Sequence, residues 1–314
     1  MGLTPKFRLI ANDTDVTEHL IKNLKSISFH DEDGIKADKL DITVFGDFKR
    51  PKYKDELKLY LGYEEENKEF YCGLFIVQNT TAYNDGTLSI SATATDFNAS
   101  LKVLKNTSYE AMSVKEIVEQ IAAAHDLKSK CDFDDIYFPY IAQTNESDIS
   151  FLLRIAKEFH AVYSIKNNTI IFLRQDEKSI LPTVTIDANE CSGNTPIIKN
   201  SNKTYYKSVS LKYQDTKANE IKTIQVGTEE PIYNIQDTFI DSANLESKVK
   251  AKLQKLNKGI KSGSFKIYGF GIYARSKLKF LNIKKEDDIT YHIDKIVHTL
   301  DSNGWNMRVE FSNN

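Results

Sequence analysis

Residues 143–172 read QTNESDISFLLRIAKEFHAVYSIKNNTIIF. The first half predicts a helix with a marked start. Asn145 and Ser147 are both suitable N-caps, because a short side-chain oxygen accepts from the orphan backbone N–H groups. Glu146 and Asp148 place negative charge at the positive end of the helix dipole. Apolar side chains then recur at Ile149, Leu152, Leu153, Ala156 and Phe159, a stripe of helical period. Burying that stripe contributes at most about 8–12 kcal/mol, at ~1.5–3 per large side chain. The cap contributes about 1 kcal/mol. Packing therefore decides the helix, and the cap decides where it begins. Segments 161–166 and 169–174 follow as strands joined by Asn167-Asn168, which tolerate positive φ and suit a two-residue hairpin turn. The unit is helix, strand, turn, strand.

The run Gln143-Thr144-Asn145-Glu146-Ser147-Asp148, followed by a Phe-Leu-x-Arg-x-Ala helix and a β-hairpin, resembles the late control D (tail hub) family of contractile-tailed phages. The same segment is similar to the hub part of the valine–glycine repeat spike proteins of type VI secretion. Further points of resemblance are Asp15-Val16-Thr17, Ala37-Asp38-Lys39-Leu40, and Leu61-Gly62-Tyr63 ahead of Gly73-Leu74-Phe75. Near the C-terminus the order of long helix, glycine-containing loop, strands and a Val297-His298 strand with a terminal hairpin adds to it.

Working outward, the N-terminal part alternates as strands do at 24–30 and 39–45, where Leu40, Ile42 and Val44 share a face. Residues 57–63, 70–80 and 87–95 read as further strands, with Asn84-Asp85-Gly86 a hairpin signal. Residues 31–34 read as a polar turn. Strands so closely spaced suggest a small barrel or sandwich over 1–100. Near Leu101 the texture changes. Ser113 and Glu116 form a capping box ahead of an apolar face at Val114, Ile117, Val118 and Ile121. This opens a middle α+β domain over 101–186. Beyond Pro182 strands return, interrupted by a helix capped at Asp241-Ser242 with a stripe of Leu245, Val249, Leu253 and Leu256, and stopped at Gly259. The fold class is thus β-rich α+β, and the family resemblance implies two small β-barrel-like domains, 1–100 and 187–314, flanking the middle domain, the second with a helical excursion near 242–258. A faint internal echo pairs Phe75-Ile76-Val77-Gln78 and Asn84-Asp85-Gly86 with Lys295-Ile296-Val297-His298 and Ser302-Asn303-Gly304.

The chain has 314 residues, enough for two to three domains at ~100–200 residues each. Its 40% hydrophobic and 27% charged content is that of a soluble globular chain. No apolar run reaches the ~18 residues of a membrane helix, no signal peptide opens the chain, and Lys6 stands where a myristoylation signal needs Ser or Thr. Cys72, Cys131 and Cys191 are isolated and odd in number, which fits a reducing compartment.

Glu146 and Asp148 read as a charged helix terminus before they read as an acid/base pair. His292 and His298 are placed to share a strand face, but metal ligation needs further ligands that the spacing does not offer. Gly269-Phe270-Gly271-Ile272-Tyr273-Ala274 matches GxGxxA, yet the following residues alternate as a strand, where a dinucleotide site requires a helix. There is no GxSxG elbow and no phosphate-binding loop. The reading is non-enzymatic, with no catalytic, metal or cofactor site.

Charge is the strongest anomaly. Net charge is −2, yet residues 248–285 hold twelve Lys and Arg and no acid, leaving −14 elsewhere. Lys248, Lys252 and Lys255 lie on one helix side, away from the apolar stripe. That segment reads as a solvated face, as a contact for an acidic protein surface, or, last, as a nucleic-acid site. Lys248, Lys252 and Lys255 are taken as partner-contact candidates.

The family resemblance implies a structural baseplate or tail hub: a homotrimeric ring joining the tail tube to the central spike, located in the virion tail and assembled in the bacterial cytoplasm. Its partners would be itself, the spike, and tube or baseplate proteins, without membrane and with nucleic acid unlikely. Ending at Asn314 without a repetitive β-helix, the sequence resembles the separate phage hub more than the fused secretion spike. The alternative from another class is a cell-wall or glycan-binding module, which the many tyrosines and the segment 113–127 would suit.

Overall fold

The computed structural model describes residues 3–32, 37–94, 99–175, 180–201, 204–215, 218–239 and 244–313. The expected helix cap at Asp241-Ser242 and part of the expected turn at 31–34 lie outside these.

The first module contains strands β1 (Pro5–Ala11), β2 (Thr14–Asp15), β3 (Leu24–Glu32), β4 (Lys39–Phe45), β5 (Glu56–Tyr63), β6 (Phe70–Ala82) and β7 (Thr87–Thr93), with a single helical turn α1 (Thr17–Leu20). The alternation of Leu40, Ile42 and Val44 is that of a strand with one face buried, and all three are at most 1% exposed. They pack with Phe29, Leu59 and Phe75.

The middle module contains β8 (Leu104–Ser113), helix α2 (Val114–Ala124), β9 (Lys128–Cys131), β10 (Tyr137–Ser147), helix α3 (Asp148–Glu158), β11 (Val162–Lys166) and β12 (Thr169–Leu173). The capping box at Ser113 and Glu116 is formed in both directions. β11 and β12 make the expected hairpin, with Asn167 and Asn168 both at positive φ. Strand β9 joins β12 in parallel.

Two expectations are corrected here. Asn145 does not cap α3; it sits at positive φ in a bulge of β10, and Ser147 is the cap, its Oγ accepting from Ser150 N. The buried stripe of α3 is Phe151, Leu152, Ile155 and Ala156, while Ile149 and Leu153 are only partly buried. The helix is turned so because Asp148 points inward.

The last part contains β13 (Thr183–Asp187), β14 (Ile197–Asn200), β15 (Ser208–Asp215), β16 (Glu220–Val226), β17 (Ile232–Phe239), helix α4 (Leu245–Asn257), β18 (Lys261–Tyr268), β19 (Lys277–Leu281), β20 (Tyr291–Asp301) and β21 (Gly304–Asn313). Within it β16, β15 and β17 form a separate sheet, covered by the α4 stripe of Leu245, Val249, Leu253 and Leu256. The sequence reading made this stretch a helical excursion; it is a small α/β packet with its own core.

The remaining strands belong to one thirteen-stranded sheet with a repeated order. In the first module it runs β3-β4-β7-β6-β5 and in the last β14-β18-β21-β20-β19, each set also in the same chain order. The faint echo between 75–86 and 295–304 is thus the echo of β6–β7 and β20–β21. The two sets join where β20 pairs antiparallel with β3, from Lys295 opposite Glu32 to Asp301 opposite Ser26.

Candidate functional site: a module joint and a lysine face

Three modules meet at a buried cluster of charge. Asp31, on β3, is fully buried, and Asp38, ahead of β4, is 4% exposed. Lys166, at the end of β11, reaches from the middle module to pair with Asp31 and, at 2.9 Å, with Asp38. Asp31 also accepts from Ala274 N at 2.6 Å, and Asp38 from Glu32 N at 2.9 Å. Arg275 Nη1 donates to Ser164 Oγ at 2.7 Å. Burial pushes the Asp38 carboxyl up to about 6; Lys166 opposes this and the neighbouring Asp31 charge adds to it. One ammonium between two dry carboxylates makes a contact that is specific to one docking geometry.

The loop that carries Ala274 and Arg275 is the GxGxxA stretch, and as expected a strand follows it. Its glycines serve packing: a Cβ on Gly269 would stand 2.1 Å from the Trp305 ring, and one on Gly271 would stand 2.9 Å from Phe70. Both neighbours are aromatic rings lodged in the joint. His298 is fully buried there, stacked on Phe29 at 5.3 Å, and burial lowers its pKa to about 4. The face shared by His292 and His298 is corrected by a bulge between Ile293 and Lys295. It shifts the alternation, so that Ile293 and Ile296 enter one core and the two histidines fall on opposite faces. Among the described residues no group of three His, Cys, Asp or Glu is placed to hold a metal.

Asp148 does more than charge a helix end. It is 1% exposed, and its Oδ2 lies 2.6 Å from both Lys105 Nζ and His125 Nε2, while Oδ1 accepts from Gln143 Nε2 at 2.9 Å. Burial opposes its ionisation, but these hydrogen bonds outweigh it and hold the carboxyl below its ordinary range. Ser100 Oγ lies 3.0 Å from His125 Nδ1, so Ser100, His125 and Asp148 line up in the order of a nucleophile relay. Lys105 shares the same carboxylate oxygen; the three partners of Asp148 come from β8, the end of α2 and β10, and Ser100, behind His125, from the turn before β8. The arrangement ties the middle module together. Glu146 is separate, partly buried and paired with the more exposed Arg154 at 3.0 Å.

The candidate lysines lie together on α4, beside α3. Lys248 Nζ is 2.6 Å from Glu158 Oε1, Lys252 stands 5.2 Å over the Tyr233 ring, and Lys255 is exposed. With Lys157 they edge a groove of about 200 Å³ floored by Leu211 and Val249. The basic segment is also partly neutralised within the chain, by Lys258 with Asp294 at 3.8 Å and Lys261 with Asp287 at 2.9 Å. These pairs show that some of the cluster serves the fold. Lys252 and Lys255 have no ion pair among the described residues.

Comparison with known proteins bears on this architecture. Residues 54–261 match the family model of the Alg8 N-terminal domain. The probable baseplate hub protein of Escherichia phage 186 is 28% identical over a 230-residue alignment that covers 69% of this chain and 58% of that protein. The chain thus spans somewhat under two thirds of that relative's length. The probable baseplate hub protein of Escherichia phage P2 is 22% identical, covering 98% of this chain and 93% of that protein. In structure, the 43 kDa tail protein of prophage MuSo2 from Shewanella oneidensis superposes with a TM-score of 0.69 at 11% identity, over 99% of this chain and 98% of that one. A chain of the Francisella PdpA-VgrG complex gives 0.58 at 9% identity, over 99% of this chain and 58% of that one. At such identities the superpositions establish a shared fold.

Proposed function

The chain belongs to the family of the Alg8 N-terminal domain, and from that premise we propose that it is a structural baseplate hub that assembles as a homotrimeric ring between tail tube and central spike. Its role is geometric and non-enzymatic, and its place is the tail baseplate of a contractile phage or tailocin. The names borne by its relatives and structural neighbours support this reading.

The observation that carries it is the repeated strand order. Within the chain, β20 of the last module pairs with β3 of the first. The counterpart of β3 is β14, and the counterpart of β20 is β6. Among the described residues β14 pairs only with β18, and residues 79–82 of β6 pair only with β7. Unpaired strand edges are templates for addition of another strand. Pairing β14 of one copy with β6 of the next repeats the joint already made inside the chain. It is a head-to-tail contact, which closes into a ring when the rotation closes. Three copies supply six near-equivalent modules, a match between a sixfold tube and a threefold spike. The domain bounds 1–100, 101–186 and 187–314 belong to this proposal, as do Lys248, Lys252 and Lys255 as contacts for a spike or tube surface.

Light scattering at micromolar concentration tests it. The reading expects three times the chain mass of 35.8 kDa. Asn200→Pro, at a position whose backbone N–H points to the free edge of β14 and not to β18, should reduce this to one chain with unchanged circular dichroism. A wild-type protein that stays monomeric at every concentration, with and without spike protein, contradicts it.

A further inference from the structure

The repeated architecture is not repeated in one respect. In the last module the connection from β18 to β19, residues 269–276, drives Ile272 and Ala274 into the core, at 3% and 7% exposure. The corresponding connection in the first module, 46–55 between β4 and β5, contributes only the partly buried Phe48. It leaves a cleft of about 480 Å³ whose walls include Leu20, Ile42, Val44, Leu57, Leu88 and Ile90. The same connection sets Lys49, Arg50 and Lys52 on the rim. None of the three has an ion pair among the described residues. The one rim carboxylate, Asp55, is engaged by Asn12 Nδ2 at 2.9 Å and Lys52 N at 2.7 Å. An apolar cleft under three free cations fits an occupant that is apolar at its tip and acidic around it.

Such a segment is present in the chain, at the position that the repeat designates. Inside the chain, loop 269–276 lies across the end of β5 and the start of β6. Tyr63 Oη donates to Gly269 O at 2.9 Å, Tyr273 Oη donates to Tyr71 O at 2.9 Å, and the Phe70 and Tyr273 rings are 4.8 Å apart. The counterpart of that loop is 46–55, and the counterpart of the end of β5 and start of β6 is the end of β19 and start of β20. This stretch displays Leu281 at 53% and Ile289 at 37% exposure. Between them stand Glu286, Asp287 and Asp288. Asp287 pairs with Lys261 in its own chain; Glu286 and Asp288 have no ion pair among the described residues.

We propose that residues 281–289 of one copy seat on the cation-rimmed cleft of the first module of the next, Leu281 and Ile289 over the apolar floor and Glu286 and Asp288 against Lys49, Arg50 and Lys52. The proposal rests on the ring reading and names the contact that would close the ring. It also accounts for the exposure of two aliphatic side chains beside an acidic turn. Opposite charges on the two surfaces steer the encounter and fix its register.

The test is a charge swap read as the monomer–trimer midpoint. K49E/R50E/K52E should raise the midpoint at least tenfold at low salt and by less at high salt, because the contacts are screened over ~8–10 Å. E286K/D288K should do the same, and the two sets combined should recover most of the loss. Leu281→Ser with Ile289→Ser, at exposed positions where folding is not at stake, should also raise it. R50C with D288C should give linked oligomers on mild oxidation, and either single variant should not. If wild type trimerises, yet the reversals leave the midpoint unchanged at low salt and the cysteine pair links no more than the singles, the contact is wrong and the ring stands. If wild type never trimerises, ring and contact fall together.

Discussion

Replacing Lys166 by Met tests the three-way joint. The ammonium lies between Asp31 and Asp38, and its side chain is 15% exposed. Without it two buried carboxylates face each other, one holding Ala274 N and the other Glu32 N. Even with Lys166 present, burial pushes the Asp38 carboxyl up to about 6 from an ordinary 3.8. At ~1.36 kcal/mol per pH unit that is an ionisation penalty of about 3 kcal/mol at neutral pH. Breaking a buried pair from one side typically costs about 3–5 kcal/mol, and that is the loss expected at pH 7. The sign of the pH dependence follows from linkage. An acid whose folded pKa is raised binds protons first in the native state, so its penalty fades as pH falls through the raised value toward the unfolded one. The gap between wild type and Lys166→Met should therefore narrow from pH 7 to pH 5. Adding Asp38→Asn to the variant should recover part of the loss at pH 7. Trp305, the single tryptophan, is 3% exposed beside the joint and reports unfolding in urea. A loss under about 1 kcal/mol, or an equal loss at both pH values, would show that the cluster does not hold the modules in register.

Three further outcomes are expected. Leu152→Ala, in the packed face of α3, should destabilise by about 2–5 kcal/mol, whereas Glu146→Gln should cost well under 1, since its partner Arg154 is a surface contact; denaturant titration compares the two. Asp148→Asn should loosen the middle module by removing the acceptor shared by Lys105 and His125. Because that carboxyl is held below 3.8, its contribution is present above about pH 4 and is lost as pH falls through the depressed value, so the variant and wild type should converge in acid. Reversing Lys252 and Lys255 to Glu should weaken assembly with spike or tube protein, more at low than at high salt; Lys248→Glu should in addition lose stability by repelling Glu158.

What the sequence disclosed follows from where its residues are buried on one side. The alternation at Leu40, Ile42 and Val44, the box at Ser113 and Glu116, the Asn167-Asn168 turn and the α4 stripe are each local signals, and each matches the structure. Strands β8 and β10 left no such trace. Most of β8 is exposed, so polar residues stand on both faces and the period-two pattern is lost. The rotation of α3 was missed because a buried Asp148 defies hydropathy; only its partners Lys105, His125 and Gln143, far apart in sequence, explain it. The joint at Asp31, Asp38 and Lys166 was out of reach for the same reason, since Asp31 and Lys166 are 135 residues apart. The repeat of two strand sets showed in sequence only at one hairpin, because strand order survives in hydrogen bonding after side chains have diverged.

The measurement that bears most directly on the account is a cryo-electron-microscopy reconstruction of the assembled protein. The account predicts a closed ring of three chains with six similar lobes, and at each chain boundary the β14 edge of one copy lying about 4.8 Å from the β6 edge of the next. A monomer, an open filament, or a ring whose chain boundary leaves both edges facing solvent would contradict it.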